Sequence, residues 1–227
     1  MRFKRMLERK QKPREAAAET RERLLDTAER LFAEEGIART SLRAITLAAG
    51  VNVAAIHYHF GSKEALLQGV FARRLAPVNQ ERLTRLEAIE EASADRAPLV
   101  ERVLEAFLAP VLALLGDPDG ARLAVLFGRL YTEPEDLVVN LLREQFREVA
   151  DRFTAALHRA LPELSESEVV WRLHCAIGVV GHVLASVHQP EVAREFGLPR
   201  ADDATMLRRL TAFCAAGFRA PEAEVAS

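Results

Sequence analysis

Residues 40–67, Thr40 to Leu67, read TSLRAITLAAGVNVAAIHYHFGSKEALL and decide how the chain is organised. Ser41 opens a short helix that points Leu42, Ile45 and Ala49 inward. Gly50 ends it, where a residue free to take φ > 0 suits a tight turn. A second short helix runs from about Val53 to Phe60, and Gly61 breaks it. Ser62 is a good N-cap for a third, with Lys63 and Glu64 in its first turn. Leu42, Ile45, Ala49, Val51, Ile56 and Phe60 can share one small core. That leaves Asn52, Val53, Ala54, Ala55, His57, Tyr58 and His59 on the outer side of a very short helix. Small and polar outward residues are what a major groove admits. Thr40, Ser41, Arg43, Tyr58 and Lys63 flank that helix with the hydroxyls and cations that hold phosphate oxygens. Lys63 also stands where free helix N–H groups favour an anion. The pattern is a helix-turn-helix between about Ser41 and Phe60.

Working outward, Leu24, Leu25, Ala28, Leu31 and Phe32 recur at helical spacing and predict a helix over 19–35, stopped at Gly36. Residues 1–18 mix Arg, Lys and Glu around Pro13 without an apolar face and read as a mobile basic arm. The helix that Ser62 caps is long. Leu66, Leu67, Val70, Phe71 and Leu75 form its stripe, which resumes at Leu83, Leu86 and Ile89. Pro77 lies inside it and predicts a kink or a break. Helices follow at about 98–115, 121–132, 135–161, 167–187 and 204–219, with breaks at 116–120, Pro134, Pro162 and 189–203. The expected fold is all-α: a three-helix DNA-binding head over 19–64, a larger helical body over 65–220, and a tail over 221–227.

Composition agrees with this outline. The 227 residues are 49% hydrophobic and only 6% aromatic, and the abundance of Leu, Ala, Arg and Glu favours helices over strands. The net charge of −2 hides an asymmetry. Through Lys63 the chain has 13 Lys and Arg against 8 Asp and Glu; the rest has 18 against 25. A basic end on an acidic body is the footprint of a protein that sets one end on a polyanion. Cys175 and Cys214 lie in apolar helical stretches and read as small buried hydrophobes in a reducing compartment. The charged first 22 residues offer no signal-peptide core. The weakly polar run 174–190 falls short of the roughly 20 apolar residues of a membrane span. A soluble, cytoplasmic protein is expected.

Catalytic chemistry finds little support. His57 and His59 are two apart and cannot face one another on a helix. No histidine has Glu three residues before it, as a helical di-iron site requires. Ser62 already has a capping role. No metal, cofactor or catalytic residue is expected, and an all-helical enzyme would need a substrate-turnover screen to support it. A non-specific DNA-coating protein differs from a specific one in lacking a preference of roughly 10³-fold for its site.

The Gly-Val, Tyr-His-Phe and Ser-Lys-Glu-Ala-Leu elements between Ala48 and Leu66 resemble the DNA-binding domain of the TetR/AcrR family of bacterial transcriptional regulators. The resemblance covers about 19–70 well and the rest by helix pattern. It implies phosphate contacts by Tyr58, Lys63 and Thr40 or Ser41, and base reading by residues 52–57. One departure is His57, which stands where many members carry Leu. Residues 51–86, with Arg73, Arg74, Leu75, Pro77 and Asn79, further resemble a subgroup that includes a fatty-acid-responsive repressor of pseudomonads. A fatty acid or acyl derivative is therefore one candidate effector.

The family implies a homodimer on a palindromic operator, with the last two long helices forming a four-helix interface. Gly178, Gly181 and Ala185 share one helical face, and Ala212, Ala215 and Ala216 offer a second run of small residues. The family also implies a ligand cavity among the middle helices. Phe107, Phe127, Tyr131, Phe146, Phe153, Trp171, His174 and Cys175 are candidates to line it, each of them also plausible as plain core. Few charges fall on the expected inner faces, which favours a small apolar or amphipathic effector. Repression by ligand-released DNA binding is the first reading; activation on the same fold is the alternative.

Overall fold

The computed structural model describes residues 2–93, 96–116, 118–130, 133–187, 190–195, 197 and 201–222. Side chains are described within these ranges except at 2–14, 115–116, 118–119, 121, 184–187, 190 and 192–193. In chain order the helices are α1 (Arg2–Glu35), α2 (Leu42–Ala49), α3 (Val53–His59), α4 (Lys63–Ser93), α5 (Val100–Leu112), α6 (Pro118–Leu130), α7 (Glu135–Ala160), α8 (Glu166–Val187), α9 (Pro190–Glu195) and α10 (Asp203–Arg219). A 3₁₀ turn, Ala113–Gly116, follows α5, and the described residues form no strand. The all-α expectation holds.

Three boundaries differ from the sequence reading. The first helix extends back to Arg2, so the stretch read as an arm continues α1. α4 runs unbroken through Pro77. A short α9 occupies part of the segment expected to be irregular.

The chain divides into two compact units. The first comprises residues 1–74 and 125–141. Leu24, Leu25, Ala28 and Phe32 of α1 are buried together with Ile45, Ile56, Leu66, Leu67, Val70 and Phe71. Gly69 is the close-approach point of α4: a Cβ there would stand 3.1 Å from the Phe60 ring and 3.2 Å from Leu25. Buried in the same unit is the carboxylate of Glu29. It accepts two hydrogen bonds from Arg74, each at 3.0 Å, and one from Arg73 at 2.5 Å. Arg73 also reaches Asp26 and Glu22. These bonds and the packing of α4's first turns carry the unit past Glu64, where the sequence reading ended the head.

The second unit comprises residues 75–124 and 142–227. Its core joins Leu104, Phe107 and Leu108 of α5 to Phe153 and Leu157 of α7, Val169, Leu173 and Ala176 of α8, and Leu210, Cys214 and Phe218 of α10. Burial raises the Cys214 thiol pKa. Arg172 of α8 closes the end of α10. It donates to the carbonyls of Gly217, Phe218, Ala220 and Pro221, and its Nε bonds Glu168 at 2.6 Å. The last carbonyls of a helix lack intrahelical donors, and a guanidinium supplies several at once.

Candidate nucleic-acid interface

The geometry of the helix-turn-helix follows from its caps. Ser41 Oγ accepts from the Ala44 N–H at 3.1 Å and starts α2. Gly50 takes φ 64° and ends it, after which the Val51 N–H returns to the Thr46 carbonyl. Asn52 Oδ1 accepts from the Ala54 N–H at 3.0 Å and starts α3. Ile45 and Ile56 are fully buried and hold the helices together. Ser62 Oγ accepts from the Ala65 N–H and starts α4.

This framework exposes Asn52, Val53, Ala54, His57 and Tyr58, with Ala55 and His59 half-buried. Tyr58 is 80% exposed, an unusual position for a phenol in a packed head. Its ring meets His59 edge-on at 4.9 Å. The cap takes one bond at the Asn52 side-chain oxygen and fixes the amide, whose two N–H donors can be offered to a base. His57 Nδ1 lies 3.0 Å from the Gly61 carbonyl. A carbonyl only accepts, so Nδ1 carries the proton in this bond and Nε2 is left to face solvent or DNA. That bond accounts for histidine here: it ties the end of α3 to the Gly61 turn, which leucine cannot do.

Arg43 and Ser41 are exposed on α2 and its cap. Lys63 donates to the Ala38 carbonyl at 3.3 Å, which leaves two of the three donors of an ammonium for a phosphate. The neighbouring Glu64 stays anionic to a lower pH than usual because its own backbone N–H, the Ser62 hydroxyl and Lys63 stabilise it. Thr40 is corrected. It is 1% exposed, and its hydroxyl lies between the carbonyls of Gly36 at 2.8 Å and Leu31 at 3.2 Å. It braces the α1–α2 connection and presents nothing to a phosphate. Leu47, 82% exposed on α2, escaped the sequence reading. Once Ile45 and Thr46 are known to face inward, the helical period turns Leu47 to solvent.

The residues expected to line a ligand cavity are distributed over the two units. Phe127 belongs to the first unit, edge-on to Phe71 at 5.3 Å. Tyr131 lies outside the described residues. Phe107 and Phe153 are core, 5.1 Å apart. Phe146 lines a shallow depression with Leu142, Arg143, Arg147 and Ala150.

Trp171, His174 and Cys175 are corrected: all three are exposed on α8, with Trp171 at 61% and its ring stacked on His174. Gly178 and Gly181 continue the same exposed face. A Cβ added at either glycine would meet nothing within 4 Å. Ala212, Phe213 and Ala216 are exposed on α10. The side chain of Ala185 lies outside the described residues. α8 has two apolar faces, Val169, Leu173, Ala176 and Val180 inward and Val170, Trp171 and Ile177 outward, so its periodicity alone assigned the wrong one to the cavity.

Among the described residues no group of three or more His, Cys, Asp or Glu is placed to hold a metal. No described helix is long and apolar enough to cross a membrane.

Two family models match the chain: "Bacterial regulatory proteins, tetR family" over 24–70, and "Tetracyclin repressor-like, C-terminal domain" over 105–217. The HTH-type transcriptional regulator SrpR of Pseudomonas putida is 26% identical over 145 residues, 64% of this chain and 61% of SrpR. The chain spans less than two thirds of the length of the curated relatives it matches. Among solved structures, the fatty acid degradation regulator FadR from Bacillus halodurans superposes with a TM-score of 0.65 at 16% identity, over 88% of this chain and 96% of FadR. A SmeT–triclosan complex superposes with a TM-score of 0.57 at 24% identity, over 92% and 98%. The structural likenesses carry the fold.

Proposed function

This chain belongs to the TetR family of bacterial regulatory proteins, and from that premise we propose that it is a dimeric, effector-released transcriptional repressor acting in the cytoplasm. The observation that carries the reading is α3: a seven-residue helix with its polar and small residues exposed, flanked by Ser41 at the start of α2 and Lys63 at the start of α4. Residues 52–57 read bases. Ser41, Arg43, Tyr58 and Lys63 hold phosphates. The domain division follows the two compact units, with the head ending near Arg74 instead of Glu64.

Dimerisation through α8 and α10 is supported by Gly178 and Gly181. Among the described residues nothing lies within 4 Å of a Cβ added at either glycine, which is consistent with small residues serving the approach of a partner helix. Two recognition helices one DNA turn apart, roughly 34–36 Å, would read a palindrome. SmeT, a structural relative, is known in complex with triclosan, which supports a small-molecule effector here. The effector must bind the DNA-incompetent state better, and the coupling is then reciprocal. α4 contributes residues to both units and is the element proposed to carry it.

Selection from a random DNA pool tests this reading. The expected product is a palindrome bound at least 10³-fold more tightly than random DNA. Equal affinity for selected and random DNA would sink it.

A further inference from the structure

α3 has the sequence VAAIHYH and carries no Arg, Lys, Asp or Glu. The commonest specific contact in a major groove is a forked cation on guanine O6 and N7, and this helix has no source for it. Nor does it hold a carboxylate to accept from cytosine N4. What α3 presents at its N-terminal end is apolar. Val53 is 39% exposed and Ala54 is exposed beside it, while Ile56 is the residue that packs inward. The N-terminal residues of a recognition helix are the ones that meet base edges.

Nothing inside the head calls for valine at position 53. Its side chain is not core, unlike the fully buried Ile56 three residues on. It does not start the helix, because Asn52 Oδ1 makes the cap by accepting from the Ala54 N–H at 3.0 Å. Helix propensity argues against it, since β-branched valine is a poorer helix former than the two alanines that follow. A lone exposed valine is ordinary on most surfaces. This one stands on the helix read as entering a major groove, where the groups on the base edges are hydrogen-bond donors and acceptors with one exception, the C5 methyl of thymine. Ala54 and Ala55 keep the neighbouring surface low, so the helix backbone can come close enough for a short side chain to reach a base edge.

We propose that Val53 reads thymine: its γ-methyl groups pack on the C5 methyl of one thymine in each half-site and specify that base. The proposal rests on the reading of α3 as the recognition helix. Discrimination comes from both sides of the contact. Thymine gains apolar burial, whereas cytosine at the same place sets its N4 amino group, and a purine its N7, against an isopropyl group that can bond neither.

The test starts from the operator that the full-length protein selects from random DNA, which should hold a thymine at the same place in each half-site. The operator is then rebuilt with deoxyuridine for every thymidine, which deletes the C5 methyl and keeps the base pairing. One buried methyl is worth about 0.8 kcal/mol, so the loss of affinity should be about fourfold per half-site and about 16-fold for the palindrome. Val53→Ala withdraws the γ-methyl groups at an exposed position where alanine favours the helix, and circular dichroism checks that the fold is kept. In that variant the preference for thymidine over deoxyuridine should fall below half its native value. Lys63→Ala should weaken both operators alike and leave the preference as it was. A native preference under fourfold, no fixed thymine in the half-sites, or a preference that Val53→Ala leaves above half its native value overturns the thymine assignment while specific DNA binding stands. So does a preference that falls as far in Lys63→Ala as in Val53→Ala. Equal affinity for selected and random DNA overturns both readings.

Discussion

Glu29 and Arg74 meet fork to fork, Nε to Oε2 and Nη2 to Oε1 both at 3.0 Å, with the carboxylate fully buried. Removing the acid takes the buried fork-to-fork partner from Arg74 and one of three carboxylates from Arg73, in a partly buried setting. Glu29→Ala should therefore cost about 3–5 kcal/mol. Glu34→Ala, which breaks the exposed pair with Arg30, should cost about 0–1 kcal/mol. Urea unfolding of both variants checks this; similar midpoints would remove Glu29 from its role as the clasp of the head.

Lys63 and Tyr58, both read as phosphate contacts, are tested separately. Lys63→Ala should weaken binding to every sequence and flatten the log–log salt slope by about one unit. An unchanged slope removes Lys63 from the phosphate contacts. Tyr58→Ala should lose operator affinity while the circular dichroism stays native, since an 80% exposed ring contributes little to the core. Thr40→Val is the contrast. It deletes a buried hydroxyl and should lower stability by about 1–3 kcal/mol, with the salt slope intact.

Gly181→Leu should convert the dimer to monomer in sedimentation velocity. Among the described residues of one subunit a Cβ at this position meets nothing within 4 Å, so the fold is expected to survive, which circular dichroism checks. A native-like dimer would move the interface elsewhere.

Arg172→Ala should destabilise the second unit by about 2–4 kcal/mol, because several carbonyls at the end of α10 lose their donor together. Thermal unfolding reads it. Arg219→Ala breaks only a surface pair with Glu101 and should leave the melting temperature nearly unchanged.

The sequence was clearest where local chemistry acts alone. Gly50 and Ser62 could be read directly as a turn and a cap, and the stripe from Leu24 to Phe32 marked its own helix. What stayed hidden depends on partners far along the chain. The hydroxyl of Thr40 resembles a phosphate ligand until the Leu31 and Gly36 carbonyls are seen beside it. Pro77 reads as a kink or a break, and α4 continues through it as one helix. Arg82 is buried on the same stripe as Val78, Asn79 and Leu86, and an arginine in a sequence carries no sign that it will be. Trp171 was assigned to the cavity because the outward face of α8 is as apolar as the inward one.

Trp171 is the only tryptophan in the chain, and it stands on the exposed face of α8 beside Gly178 and Gly181. The molecule thus carries its own optical reporter. With no second indole to obscure it, emission should lie toward the red when that face is wet and move to the blue when another helix covers it. Subunit association can be followed by dilution in a fluorimeter, without a dye or a label.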